Sequence, residues 1–248
     1  QARDRIALTN DIREELESGS FELRFQPVFD RDRNPVSAEV LLRWPPNREP
    51  HYWPGQFIPV AESSRLIVPL GRWVIHQTLA AMRRFADAGL SVPVAINVSA
   101  RQFLAPEFVD ELVESARVHG IALDQLMIEV TEGLFMEPGS LVTTTMKRLR
   151  KVGCRIALDD FGTGFSSLSY LKDLDVDIVK IDRSFIVGLG RDTRSLSIVR
   201  GMMDIMRGLG QEVVAEGVET EEQLEAIVSL GADRLQGFLL SHPLTEGE

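Results

Sequence analysis

A series of short apolar runs in this chain is broken by polar residues near the C-terminal end of each run. The run at 36–44 carries Glu39 and Arg43, and the run at 92–98 carries Asn97. The run at 126–131 holds Glu129 and leads through Thr131 into Glu132. The next closes on Asp159-Asp160, the one after holds Lys180 and Asp182, and the last two reach Glu216 and Gln236. Burying a polar group without a partner costs several kcal/mol. So many apolar runs interrupted at the same relative place therefore point to one shared site.

The donor types select the chemistry. Carboxylates and a carboxamide are hard oxygen donors that suit Mg²⁺ or Mn²⁺, with Ca²⁺ as a competing, inhibitory ion. Zinc would call for His or Cys. Crowded carboxylates repel one another unless metal ions neutralise them. A paired-metal site suits in-line attack of water on a phosphodiester. Lys180, held among carboxylates, would keep its charge and orient the water or stabilise charge on the phosphorane. Arg43 lies two pleats from Glu39, so both side chains face one way, and its fork suits a phosphate.

Plainer readings stand beside these. Glu39 reads equally as a salt-bridged barrel residue, and Lys180 with Asp182 as a structural ion pair. Asp159-Asp160 before Phe161-Gly162-Thr163-Gly164 also fits a turn and a helix cap. Asn97 also fits a cap for Val98-Ser99. Thr220 with Gln223 is a capping box, and Glu221-Glu222 are first-turn acids. Ser166 and Ser167 lack a nucleophile elbow and a histidine partner, which argues against a serine hydrolase. His119 reads as a helix-end residue and Cys154 as packing. The four histidines show no paired metal spacing.

Around these residues the chain alternates short apolar runs with amphipathic helical stretches. The runs lie at 21–29, 36–44, 92–98, 126–131, 155–160, 177–181, 212–216 and 234–239. Helical spacing marks 106–119, 141–152, 195–209 and 221–230, with Gly120, Gly153, Gly210 and Gly231 at C-terminal cap positions. Such alternation predicts a parallel barrel. A short turn at 30–35 makes the first two runs an antiparallel hairpin. Residues 1–20 read as a helix through Ile6, Leu8, Ile12 and Leu16, either a packing helix or a connector, with residues 21–248 as the barrel domain.

The length of 248 residues suits one such domain. A formal net charge of −10 argues against binding a nucleic-acid polymer, and requires cations between this protein and any phosphate ester. One cysteine excludes an internal disulfide and a thiolate zinc cluster, which fits a reducing compartment. No secretory signal or membrane-length apolar run is present. The chain opens Gln1-Ala2-Arg3 and reads as a piece of a longer protein.

The residues resemble a known family. Glu39-Val40-Leu41-Leu42-Arg43-Trp44 is similar to the EALLRW signature of EAL domains. Further blocks resemble the family in its order: 57–62, 97–103, 129–132, 159–171, 180–185, 214–220 and Gln236-Gly237. The resemblance implies a modified (β/α)₈ TIM-like barrel with an antiparallel first strand. It implies hydrolysis of cyclic-di-GMP to linear pGpG with Mg²⁺ or Mn²⁺. By the same resemblance Glu39, Asn97, Glu129, Asp159 and Asp160 are metal ligands, and Asp182 and Glu216 hold metal or its water, Glu216 being also a candidate base. Lys180 stands at the nucleophilic water and Gln236 orders the water network. Gln26, Leu42, Arg43 and Glu39 meet substrate. Thr131 and Glu132 control the loop at 161–167, which the family links to metal binding and dimerisation. A homodimer, an upstream regulatory domain of the GGDEF kind and a cytoplasmic place, within a larger membrane-anchored protein or free, are also implied.

The sequence departs from the pattern at Val40, where alanine is usual, and at His242, where arginine often precedes Pro243. An extra side-chain volume at 40 is expected to strain the packing near Glu39. Phe165 occupies a Tyr/Phe position, and the Pro- and aromatic-rich segment 45–54 reshapes the neighbouring loop. The competing readings are a receptor that binds cyclic-di-GMP without cutting it, an interaction scaffold, and a phosphodiesterase for non-cyclic esters.

Overall fold

In a computed structural model, which describes residues 2–136, 140–163 and 175–248, β1 (Glu22–Phe29) and β2 (Pro35–Arg43) form the expected hairpin. Helix α1 (Ala2–Ser18) precedes them. After β2 come α2 (Pro54–Ser63), α3 (Ile67–Asp87) and β3 (Val94–Asn97). Then follow α4 (Ala100–Phe103), α5 (Phe108–His119), β4 (Leu126–Thr131), α6 (Ser140–Lys151) and β5 (Arg155–Phe161). The chain closes with β6 (Ile178–Ile181), α7 (Arg183–Ile186), α8 (Thr193–Gly208), β7 (Glu212–Ala215), α9 (Glu221–Leu230) and β8 (Arg234–Leu235).

The strands close into one barrel in sequence order. Both junctions of β1, with β2 and with β8, are antiparallel, and the remaining junctions are parallel. This is the expected modified TIM-like barrel. Periodicity marked the later crossover helices well, but α2 and α3 lie in a stretch where it marked none. Pro54 opens α2, where a missing N–H costs nothing; Val74 and Leu79 of α3 pack on the outer layer of the sheet, and Leu70 joins the cluster with α1 and α2. β8 is much shorter than the run at 234–239. Gln236 follows the strand, pinned by backbone bonds to Ala215 and Val218. At the next residue a Cβ would stand 2.1 Å from the Val218 carbonyl oxygen, so only glycine fits there.

Two apolar layers separate inside from outside. Val28, Ala95, Met127, Ala157, Ile178 and Val214 fill the barrel interior. Residues of opposite parity, among them Phe25, Val40, Ile96, Ile128, Ile156 and Val179, pack outward against the helices. A third cluster joins Leu8 and Ile12 of α1 to Phe21, Trp44, Phe57 and Leu70. Ile6, grouped with them by spacing, is instead 63% exposed. Gly120 and Gly231 cap their helices in the left-handed conformation, as the sequence pattern required. Among the described residues no helix is long and apolar enough to cross a membrane.

Candidate active site

The interior apolar layer is roofed by polar side chains, one from each strand or its immediate end. Side chains in a strand repeat every second residue. Two positions beyond the apolar floor stand Asn97, Glu129, Asp159, Lys180 and Glu216 on or after β3 to β7. β1 runs the opposite way, so Gln26 lies two positions before Val28. The β1–β2 register sets Gln26 opposite Glu39. Gln236, directly after β8, completes the ring.

Lys180 is the hub. Its Nζ donates to Glu129 Oε2 at 2.8 Å and Glu39 Oε2 at 3.1 Å. It also lies 2.7 Å from Glu216 Oε1 and 3.2 Å from Asp159 Oδ1. The Asp159 oxygen is buried without the geometry of a hydrogen bond. Lys180 is only 2% exposed. Burial opposes its charge, but Asp159, Glu129, Glu216 and Glu39 together push its pKa well above the usual lysine range. Asp182, the alternative partner, does not pair with it. Instead it accepts from the Ser184 backbone as the N-cap of α7, at 2.9 Å.

Glu39 is the second hub. It accepts from Asn97 Nδ2 at 2.6 Å and Gln236 Nε2 at 2.8 Å. Asn97 therefore turns into the barrel, while Ser99 takes the cap of α4. Burial works to raise the Glu39 pKa, yet Lys180 and these donors outweigh it and hold the carboxyl below the ordinary range. Gln236 Nε2 also reaches Gln26 Oε1 at 3.3 Å, and Gln26 Nε2 donates to the Ser241 carbonyl at 3.2 Å.

Among the described residues, one ammonium cannot balance four carboxylates, two of them buried (Glu39, Glu129) and two partly buried (Asp159, Glu216). The consequence is visible in the others. Burial and the Glu39 charge push Glu129 well above the usual carboxyl range, and burial takes Glu216 up to about 8. Asp160 is raised by burial and by the neighbouring Asp159 and Asp182 charges. Such a site lacks positive charge. Oxygen atoms of Asp159, Asp160 and Glu216 all lie within 4.8 Å of one another, which fits a hard divalent ion. Asp160 is brought there by a left-handed backbone, φ 54°, at an irregularity between Leu158 and Phe161. Its carbonyl accepts both Thr163 N and Thr163 Oγ1, so the turn reading of this motif holds together with the site reading.

The remaining positions line the mouth. A cleft of about 500 Å³ is walled by Leu41, Leu42, Arg43, Asn97, Glu129, Thr131, Asp159 and Asp160, with Ile58, Leu70 and Val74 on the α2–α3 side. Leu42 packs outward against both helical clusters while lining this cleft. Glu132 is buried in the turn after β4. Positions 164–167 of the segment it is expected to control, with Phe165, Ser166 and Ser167, lie outside the described residues.

The family model of the EAL domain matches residues 9–243. This chain belongs to the EAL family. Over 245 residues this EAL domain is 38% identical to the bifunctional diguanylate cyclase/cyclic di-GMP phosphodiesterase MucR of Pseudomonas aeruginosa, covering 98% of this chain and 36% of MucR. It is 39% identical over 244 residues to the uncharacterized protein Rv1354c of Mycobacterium tuberculosis, covering 96% of this chain and 39% of that protein. The chain thus spans well under half the length of these curated relatives. Among solved structures, the MucR phosphodiesterase in complex with c-di-GMP superimposes with a TM-score of 0.90 at 38% identity, covering 96% of this chain and 98% of that one. The EAL enzyme Bd1971 bound to cAMP and cyclic-di-GMP gives a TM-score of 0.92 at 32% identity, covering 99% and 68%.

Two features of this EAL domain escaped sequence reasoning. His76 and His119 lie with ring centroids 4.6 Å apart, joining α3 to the end of α5, and no sequence spacing signals that contact. Arg24 lies two residues before Gln26 on β1 and so shares its inner face. The alternating pattern carried that signal. The Val40 side chain packs outward beside Phe25, on the opposite face from the Glu39 carboxylate. His242 stacks on Phe238 at 4.3 Å.

Proposed function

We propose that this EAL domain hydrolyses cyclic-di-GMP to linear pGpG with Mg²⁺ or Mn²⁺, in a site that takes two metal ions. The observation that carries the reading is the ring of one polar side chain per strand, in which a single buried lysine faces four carboxylates. It leaves a deficit of positive charge where Asp159, Asp160 and Glu216 converge. Glu39, Asn97, Glu129 and Asp182 complete the proposed donor set. Bound divalent ions would supply an acidified water and offset charge on the phosphoryl oxygens.

The chain's own groups do the rest. Lys180 orients the attacking water and stabilises charge on the phosphorane. Glu216 holds its proton to about pH 8 without metal; once that proton is displaced by bound divalent ions, its carboxylate would take a proton from the water. Gln236 and Asn97 fix the Glu39 carboxylate through their amide N–H groups. Gln26, Leu42 and Arg43 meet the substrate, and the apolar walls at Ile58, Leu70 and Val74 exclude water beside it. The proposal extends to Glu132 as a control on the loop after Asp160. It extends also to a homodimer, to an upstream GGDEF-like domain and to a cytoplasmic place. The upstream domain is supported by the bifunctional name of MucR and its greater length. The dimer rests on family resemblance.

The test is incubation of purified protein with cyclic-di-GMP plus Mg²⁺, Mn²⁺, Ca²⁺ or EDTA, with products followed by chromatography. Metal-dependent pGpG is expected, with none in EDTA and inhibition by Ca²⁺. Glu39→Ala is expected to abolish turnover while the fold survives. Binding without turnover would replace the enzyme with a receptor.

A further inference from the structure

β1 carries a second arginine on the face of the polar ring, rimward of Gln26. Its inner face reads Val28, Gln26, Arg24 and Glu22 from the apolar floor to the rim, while Leu23 and Phe25 turn outward onto the helices. The register sets Gln26 opposite Glu39, Arg24 opposite Leu41 and Glu22 opposite Arg43. Arg24 and Arg43 are thus diagonal neighbours on one face, within reach of each other's long side chains. Arg43 walls the cleft and is half-buried. Burial weakens its hold on a proton, and the charge of Arg24 weakens it further. Glu22 pairs with Arg24, its Oε1 2.9 Å from Arg24 Nη2, and the Arg24 charge also acts on Glu248 near the C-terminus.

We infer that Arg24 and Arg43 form a two-arginine clamp for the phosphodiester of the substrate that is not cut, with Glu22 as the counterion that substrate displaces. The inference rests on the cyclic-dinucleotide reading. A cyclic dinucleotide carries two phosphodiesters on opposite sides of one ring. When one reaches the carboxylates around Lys180, the other stands away from them and still needs cations. The protein has a net charge of −10, and Lys180 is enclosed by four carboxylates. The two guanidinium groups are the cations that the fold presents on the inner face of β1 and β2 above the ring. Planar forks suit phosphate oxygens better than a point charge does.

The test is steady-state kinetics on cyclic-di-GMP with Mn²⁺ for wild type, Arg24→Leu, Arg24→Lys and Glu22→Gln, at several KCl concentrations, with melting temperatures as a fold check. Arg24→Leu is expected to raise KM about tenfold, the loss of one charge-assisted hydrogen bond, with kcat within about twofold of wild type. The KM of this variant should also rise less steeply with salt. Arg24→Lys should fall between, and Glu22→Gln should lower KM. Equal KM values for wild type and Arg24→Leu, a fall in kcat alone, or a higher KM in Glu22→Gln would overturn the clamp while leaving the phosphodiesterase standing. A wild type that neither binds nor cuts the dinucleotide would remove the reading and the clamp together.

Discussion

Lys180 Nζ lies 2.7 Å from Glu216 Oε1, a contact between β6 and the residue directly after β7. Lys180 is buried, and its nearest ionised partner is the buried Glu39 carboxylate, each making the other's charge tolerable. Removing one partner of a buried ion pair typically costs about 3–5 kcal/mol, because it strands the remaining charge. Lys180→Ala is therefore expected to abolish turnover and to lower the melting temperature in EDTA. Added Mn²⁺ should recover part of that loss by supplying the missing positive charge. Calorimetry with and without metal checks both effects, and retained full activity would remove Lys180 from the proposed chemistry.

Metal binding and pH are coupled through Glu216. In the metal-free protein burial raises its pKa to about 8. A raised carboxyl contributes stability while it is protonated, and that contribution is lost as pH rises through the folded-state value. Melting in EDTA should accordingly decline as pH rises from about 4.5, the ordinary carboxyl value, to about 8, and level off above that. A divalent ion must displace the proton, so apparent Mg²⁺ or Mn²⁺ affinity should rise over the same window. Isothermal titration in buffers of different ionisation enthalpy would register proton release. A pH-independent affinity would place the metal away from Glu216.

Gln236 links Glu39 to Gln26 through one amide nitrogen. Gln236→Ala leaves a buried carboxylate oxygen short of a donor, at an expected cost of about 1–3 kcal/mol. Turnover should fall through kcat, because Glu39 loses its orientation. Gln236→Glu should be more damaging, since it sets a second carboxylate against Glu39. Denaturant unfolding and kinetics on the two variants separate these outcomes. Equal effects would mean that packing at the site matters more than the donor.

Val40 supplies a control. It faces the outer helices beside Phe25 and is 3% exposed. Val40→Ala restores the residue usual in the family, yet should destabilise by about 1–3 kcal/mol through the cavity it opens. Because the side chain lies on the opposite face from Glu39, kcat should stay within about twofold of wild type. A large change in kcat would show that the outer layer sets the ring geometry.

Much of this EAL domain was legible locally. The polar residue at the end of each run marked the site because an isolated buried polar group is too costly to persist without a shared partner or ligand. The short turn after the first run marked the antiparallel hairpin, and the glycines at 120 and 231 marked helix ends, since both signals are set by a few neighbouring residues. Alternation along β1 also contained the position of Arg24, although no motif drew attention to it. Segment 234–239 misled, because its apolar pattern runs past the two residues that the ladder pairs at β8.

The amino-acid sequence by itself determined the fold class, the order of the strands and the hard-oxygen character of the site. These follow from periodicity, turn chemistry and donor type, all of which act over short stretches of chain. Only the tertiary structure decided who meets whom: that Lys180 pairs with four carboxylates and not with Asp182, that Asn97 donates to Glu39 instead of capping a helix, and that His76 touches His119. Those pairings depend on the register and closure of the whole barrel. Closure brings residues distant in sequence to a common radius, and no local pattern encodes that distance.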